Sequence, residues 1–334
     1  METAMTALTR RNFGLLALTV VATLAPFENA IAQDFPLRPV RLIVPYAPGG
    51  SGDLIARLLG EKLSALWGQQ VVVENRPGAG GLIGTETAAH APPDGYTLYL
   101  ATDGPLTVAA TLNGHVPYDW KGDLTPVSMI TVGYQVLIVD SKLPVRTLAD
   151  FIALAKSQPG ALNFASIGVG TAPHLAAELF LSVAQLNLTH VPYNGSSAQA
   201  IRALIAGDVA MFMVGTSTAL PFIKNGNVRA LAVTSTISRV DGLPDVPTFA
   251  EAGLPQVDYS LWFATAVPSA TPADIVKKLN ADINKIVADP QYQDALKIRG
   301  FEAKGSTSDE LAAFMEKDYL KNRALILKLG LHVD

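Results

Sequence analysis

The sequence predicts an α/β protein built as two lobes. Short buried strands alternate with helices along most of the chain, which is typical of helices packed on a largely parallel sheet. Glycine-rich turns between a strand and a helix occur in both halves, at 48–52 and 76–81 in the first and at 167–171 in the second. Helical patterns then fill the chain from residue 271 onwards. Because such terminal helices usually pack back on the first lobe, the chain crosses twice between the lobes and forms a hinge.

The composition excludes several functional classes. The chain has 334 residues, enough for two ordinary domains, and is 49% hydrophobic and 16% charged, as in globular proteins. A net charge of −4 does not indicate a basic surface that would bind nucleic acid. There are no cysteines, and none of the five histidines has metal-ligand spacing. We therefore predict no metal, no cofactor and no nucleic-acid partner.

The first 32 residues have the pattern of an export signal. Arg10-Arg11 precedes an apolar run at 13–25, and Ala30-Ile31-Ala32 supplies a cleavage pattern of small residues. We predict a signal peptide over 1–32 and a periplasmic mature protein. Residues 9–13 also resemble a twin-arginine signal, so the export route stays open.

The first half begins with a strand that leads directly into a glycine-rich turn. We expect strands at 40–46, 71–75 and 96–102, and helices at 54–63 and 82–89. Ser51 is the expected N-cap of the first helix. The turn at 48–52 is either an anion site at a helix N-terminus or a plain turn that needs glycine. Ligands of such sheets bind beyond the carboxyl ends of the strands, which places Ser51, Thr102 and Asp103 on the candidate face.

The second half repeats this pattern. Two apolar runs around Gly133 lead into it, and Thr147 to Asp150 has the pattern of a capped helix start. We expect strands at 163–166, 189–193, 209–214 and 228–234, and an apolar, aromatic stretch follows at 259–267. We expect helices at 172–186, 198–205, from 216 into 223, 273–288, 292–298 and 308–329.

Two functional hypotheses follow from the residues. The first is a solute receptor without catalytic residues, and the second is an exported α/β hydrolase that uses Ser166 or Ser51 with His174. Ser166 lacks the first glycine of the G-x-S-x-G elbow. His174 is either a ligand or base partner, or a helix-start histidine bonded to local backbone. Asp53 is a catalytic acid, an acceptor for the turn, or a first-turn residue that complements the helix dipole.

Seven stretches carry a resemblance to a known family. They are 38–50 (RPVRLIVPYAPGG), 72–81 (VVENRPGAGG), 93–98 (PDGYTL), 174–180 (HLAAELF), 190–195 (HVPYNG), 229–234 (RALAVT) and 243–248 (LPDVPT). In this order and spacing the chain resembles the substrate-binding proteins of tripartite tricarboxylate transporters, also called Bordetella uptake gene (Bug) receptors. The resemblance covers nearly all of the mature chain.

The resemblance implies a type II periplasmic binding protein of the Venus-flytrap kind, with two α/β domains and a hinge. Domain 1 would comprise 33–133 and 257–334, and domain 2 would comprise 134–256. Such a receptor is a monomer that binds a small organic carboxylate in the interdomain cleft. It delivers the ligand to the membrane transporter subunits of the tripartite system.

The resemblance also implies the ligand-binding residues. One loop from each lobe would hold a carboxylate through backbone N–H groups and small hydroxyls, with lesser candidates at the rim. The first loop supplies Pro48, Gly49, Gly50, Ser51 and Asp53; the second supplies Ser166, Gly168, Gly170, Thr171 and His174; the rim supplies Thr102, Asn194 and Gly195.

Two departures from the family pattern concern the ligand. The family often has lysine where this chain has Asn194, and often has an acid near Met213-Val214. Here the stretch 211–217 carries no charge. Without an acid to pair with an amine, we expect an aliphatic or aromatic carboxylate rather than an amino acid. The sequence leaves the identity of that carboxylate open.

Overall fold

A computed structural model describes residues 35–112, 115–193, 195–235 and 239–331. The predicted signal peptide and Asn194 lie outside these residues. Pro36–Asp334 form one compact unit. None of the helices in the described ranges is long and apolar enough to cross a membrane.

Strands and helices alternate along the chain, close to the predicted positions. The first half contains β1 (Val40–Val44), α1 (Ser51–Trp67), β2 (Val71–Asn75), α2 (Leu82–Ala89), β3 (Thr97–Ala101), α3 (Ala109–Leu112) and β4 (Leu124–Asp140). Then follow α4 (Leu148–Ser157), β5 (Asn163–Ser166), α5 (Ala172–Ala184), β6 (Thr189–Pro192), α6 (Ser197–Ala206), β7 (Met211–Gly215), α7 (Thr216–Lys224) and β8 (Val228–Val233). The chain ends with β9 (Ser260–Pro268), α8 (Ala273–Val287), α9 (Pro290–Lys297), β10 (Phe301–Ala303) and α10 (Ser308–Leu329).

The strands form a mixed sheet in the order β2-β1-β3-β9-β4-β7-β5-β6, with β8 and β10 also paired to β4. β1 runs parallel to β2 and β3, and β5 runs parallel to β6 and β7. β4 and β9 run antiparallel to all the strands they pair with. The expectation of a largely parallel sheet is therefore wrong. Buried parallel and antiparallel strands have the same apolar composition, so the sequence pattern does not separate them.

β4 connects the two halves of the sheet. The two expected apolar runs are one continuous strand, which pairs with β9 as far as Tyr134 and with β7 from Gln135 onwards. At Gly133 a Cβ would lie 2.5 Å from the Phe301 ring, so glycine is needed for β10 to pack here. The division into domains near this point remains a prediction.

Of two predicted helix starts, one is confirmed and one is wrong. Thr147 and Asp150 form the expected capping box at α4. At α1 the expectation that Ser51 is the N-cap is wrong, because Gly50 is the N-cap and Ser51 is the first helical residue. The Ser51 hydroxyl instead bonds Ser217 Oγ at 2.8 Å and Thr218 Oγ1 at 3.1 Å.

The last helix packs against the strands of the first half. Leu311 and Met315 of α10 share a buried cluster with Tyr99 of β3 and Ala264 of β9. The expectation that the terminal helices return to the first half is confirmed for this helix. Asp318 of α10 also accepts a hydrogen bond from Trp262 Nε1, which ties α10 to β9.

Gly84→Ala should destabilise the fold by at least about 2 kcal/mol, because the new methyl group cannot be accommodated without a backbone shift. A Cβ at Gly84 in α2 would lie 2.7 Å from Pro45 Cα and 2.8 Å from the Arg76 carbonyl oxygen. Gly60→Ala in α1 is the matched control, since its Cβ would meet nothing nearer than 3.5 Å. Helix propensity should make this control neutral or stabilising by up to about 1 kcal/mol. Urea unfolding measures both; equal midpoints for the two variants would contradict the prediction.

Candidate functional site

A cavity of about 50 Å³ lies where strand ends meet helix starts. Its volume exceeds the roughly 10–15 Å³ that one water molecule needs. The lining residues are Tyr46, Gly50, Ser51, Gly52, Thr102, Asp103, Gln135, Ile167, Ala172, Pro173, Gly195, Ser197, Val214, Gly215, Leu261, Trp262 and Phe263. The cavity therefore collects residues from both halves of the chain.

Four helices present their N-terminal ends to this cavity. The lining includes Gly50–Gly52 at the start of α1, Ala172-Pro173 at the start of α5, Ser197 in α6 and Gly215, the N-cap of α7. The first N–H groups of a helix have no intrahelical acceptor, and the helix dipole makes this end positive. The arrangement concentrates partial positive charge on one small space, which suits an anion.

The described residues that line the cavity include no lysine, arginine or histidine. An anion bound here would be held by N–H groups and hydroxyls rather than by a cationic side chain. Ser51 and Ser197 supply hydroxyls, and Leu261, Trp262 and Phe263 supply an apolar wall. Small-molecule sites commonly combine such a wall with a few polar groups.

The first glycine-rich turn contacts two turns of the second half. Ser51 bonds Ser217 and Thr218, and the Ala47 N–H donates to the Gly195 carbonyl at 3.4 Å. A Cβ at Gly215 would collide with Ser51 Oγ, so this approach requires glycine. These contacts join the two halves of the chain beside the cavity.

Of the predicted residues of the first loop and the rim, Gly50, Ser51, Thr102 and Gly195 line the cavity. Pro48, Gly49 and Asp53 lie beside it, outside its lining. The Asp53 carboxylate accepts from the Gly49 N–H at 3.0 Å and from Arg57 Nε at 3.0 Å. Burial alone would raise the pKa of Asp53, but these hydrogen bonds outweigh burial and lower it. Asp53 therefore acts as an acceptor for the turn.

The predicted residues of the second loop bond to one another. Ser166 Oγ accepts from the Gly168 N–H at 2.9 Å, and Thr171 Oγ1 donates to the Gly168 carbonyl at 2.7 Å. The Gly170 N–H donates to His174 Nδ1 at 3.3 Å. None of these five residues lines the cavity. Their neighbours Ile167, Ala172 and Pro173 do. Of the two interpretations of His174, the local backbone bond is the one observed.

The two histidines near this loop are kept neutral by their surroundings. The His174 and His190 rings lie 4.3 Å apart, and Phe164 stacks on His190 with 4.8 Å between ring centres. Burial lowers the pKa of His174 to about 3, with the nearby His190 adding to the effect, and burial lowers the pKa of His190 to about 4. Ser166 Oγ lies 2.6 Å from His190 Nε2, so it pairs with His190 rather than with His174.

A buried carboxyl group also faces the cavity. Asp103 is 3% exposed, and Tyr259 Oη donates to its Oδ2 at 2.7 Å. Burial raises the pKa of Asp103 to about 7, and the nearby Asp318 adds to the effect. The sequence placed Asp103 on the candidate face of the sheet. It did not indicate that this carboxyl group would be buried beside the cavity with a raised pKa.

Gln135 is one of several lining residues that the sequence did not predict, together with Tyr46, Ser197 and Gly215. Its side chain is 0% exposed, and neither its Oε1 nor its Nε2 has a hydrogen-bond partner in the described protein. Leaving a buried polar group unpaired costs about 1–3 kcal/mol, so such groups are rare in cores. The one available signal was a glutamine inside the apolar run of β4, between Tyr134 and Val136.

A family model described as "Tripartite tricarboxylate transporter family receptor" matches residues 55–331. The chain belongs to this family. The Bug resemblance is thereby confirmed, and Protein BugT of Bordetella pertussis is 36% identical over 311 residues, covering 93% of this chain and 95% of BugT. Members of the family are periplasmic solute receptors.

Solved structures of similar receptors support the predicted fold. Periplasmic binding protein BugD has a TM-score of 0.84 and 31% identity, covering 89% of this chain and 99% of its own. R. palustris Rpa4515 with adipate scores 0.86 at 32% identity, covering 89% and 99%. MatC from Rhodopseudomonas palustris with bound malate scores 0.81 at 30% identity, covering 87% and 100%. The expected fold of a two-lobed α/β periplasmic binding protein is confirmed.

Proposed function

We propose that this chain is a non-enzymatic periplasmic receptor that binds a small organic carboxylate in the cavity and delivers it to a tripartite membrane transporter. The observation that carries the proposal is the convergence of the N-termini of α1, α5, α6 and α7 on one space without a basic side chain among its described lining residues. This field favours a small anion such as a carboxylate.

The related structures support the chemical class. Rpa4515 was solved with adipate and MatC with malate, and both ligands carry carboxylates. Membership of the receptor family supports delivery to a transporter and location in the periplasm. We further propose that residues 33–133 with 257–334, and residues 134–256, are the two lobes that close on the ligand as a monomer, with β4 and β9 as the hinge.

The local geometry favours binding over hydrolysis. Ser166 is 0% exposed and pairs with His190, and neither residue lines the cavity. Ser51 lines the cavity, but its hydroxyl bonds Ser217 and Thr218 rather than a histidine. A hydroxyl without a base to take its proton is a poor nucleophile.

Thermal unfolding with a panel of carboxylates tests the proposal. Adipate, malate, hexanoate and benzoate are compared with adipamide, the neutral diamide of adipate. At least one carboxylate should raise the Tm, because a ligand at about 100 times its Kd adds about 2.7 kcal/mol to the free energy of unfolding. Adipamide should produce no shift.

The bound carboxylate should also remain chemically unchanged when its NMR spectrum is followed for several hours. Turnover that His174→Ala abolishes would overturn the receptor proposal in favour of the hydrolase. If adipamide shifts the Tm as much as the carboxylates do, the cavity is not an anion site.

A further inference from the structure

Gln135 occupies a position at which both ends of an amide must find partners. It is the residue at which β4 changes pairing from β9 to β7, opposite Gly215. Its backbone is fully used, since its N–H donates to Thr234 Oγ1 at 3.0 Å and its carbonyl accepts from the Thr234 N–H at 2.9 Å. The backbone is thus fixed, and only the side chain is left to bond a ligand.

We infer that the Gln135 side chain binds an uncharged polar group of the ligand, one that both donates and accepts hydrogen bonds. The inference rests on the proposed function, since it concerns a second polar group of the carboxylate ligand. It assigns the ligand to the carboxylates that also carry a primary amide or a hydroxyl group.

The unpaired atoms of Gln135 decide between a neutral group and a second carboxylate. Oε1 needs a donor and Nε2 needs an acceptor, and both atoms are buried. A carboxylate only accepts, so it would satisfy Nε2 and leave Oε1 facing another acceptor. A primary amide satisfies both atoms in one cyclic pair, and a hydroxyl group can donate to Oε1 or accept from Nε2.

The charges around the cavity favour the same choice. The described lining residues supply no cationic side chain to neutralise a second carboxylate. Leu261, Trp262 and Phe263 add apolar and aromatic surface to the lining. The lining thus fits a ligand with an anionic group, an apolar body and a neutral polar group.

Isothermal titration calorimetry with four ligands of one chain length tests the inference. The ligands are hexanoate, 6-hydroxyhexanoate, adipamate (the monoamide of adipate) and adipate. Wild type should bind adipamate at least about tenfold more tightly than adipate, equivalent to about 1.4 kcal/mol. Gln135→Leu should lose at least about tenfold in affinity for adipamate and bind hexanoate within about threefold of wild type, because hexanoate has no polar group for Gln135 to bond.

Gln291→Leu is the matched control, since Gln291 is exposed at the start of α9 and should leave all four affinities unchanged. If Gln135→Leu weakens hexanoate and adipamate equally, Gln135 only supports the cavity and the inference is overturned. If wild type prefers adipate, the inference also falls while the proposed function stands. If none of the four ligands binds wild type, the proposed carboxylate site fails, and this inference fails with it.

Discussion

Ser51→Glu should lower the affinity for carboxylate ligands by at least about a hundredfold. Ser51 is the first residue of α1 and lines the cavity, so the new carboxylate would stand at the positive helix ends that the ligand uses. Two like charges about 4 Å apart repel by about 4 kcal/mol at an effective dielectric constant of 20. The added group would also compete with the ligand for the free N–H groups of the helix.

Ser51→Gln separates charge from size, because glutamine has nearly the shape of glutamate and no charge. Both variants lose the bonds to Ser217 and Thr218, so that loss cancels between them. Calorimetry with the tightest carboxylate of the panel should show Ser51→Glu much weaker than Ser51→Gln. Equal affinities in the two variants would place the anion site elsewhere in the molecule.

Local patterns were enough to predict most of the elements. The strand Val71–Asn75 and the helices Leu82–Ala89 and Ser308–Leu329 have the expected bounds, because glycine, proline and capping residues mark their ends. β10 was missed, since three residues in Phe301–Ala303 carry no periodic pattern. The antiparallel course of β4 and β9 was missed because strand direction depends on pairing between distant segments.

The sequence predicted those residues of the candidate site whose location follows from the end of a strand in the sheet. A turn after a buried strand lies at the sheet edge, which placed Ser51 and Thr102 correctly on the face that holds the cavity. Whether a side chain in such a turn points into the cavity or bonds its own loop depends on packing. Thr171 and His174 bond their own loop, and Gln135 enters the cavity from the middle of a strand.

The pH dependence of stability should change in Asp103→Asn. The folded protein holds the Asp103 proton up to about pH 7, since burial and the nearby Asp318 raise the pKa of Asp103 to about 7. The unfolded chain releases this proton at its ordinary pKa of about 4. Between these values the folded state binds more protons, so the Asp103 contribution to the free energy of unfolding falls as the pH rises and becomes constant above pH 7.

The amide introduced by Asp103→Asn has no proton to release in this range, and its oxygen can still accept from Tyr259. The free energy of unfolding of Asp103→Asn, relative to that of wild type, should therefore rise by about 3 kcal/mol between about pH 5 and pH 8. One pKa unit corresponds to about 1.4 kcal/mol. Urea unfolding at a series of pH values measures the difference. His174, His190 and Glu178 also have shifted pKa values, but they are present in both proteins and their own contributions largely cancel. Asp318 interacts with Asp103, so the measured difference belongs to this pair of carboxyl groups.

Asp53→Asn supplies the matched control, because the pKa of Asp53 is lowered rather than raised. Asp53 is charged in both the folded and the unfolded state above about pH 5, so its stabilising contribution is lost only as the pH falls below its ordinary pKa of about 4. The stability difference between Asp53→Asn and wild type should hence be constant from pH 5 to pH 8. If Asp103→Asn also shows a constant difference, Asp103 is ionised throughout this range, and the carboxyl group beside the cavity is a permanent negative charge that any carboxylate ligand must overcome.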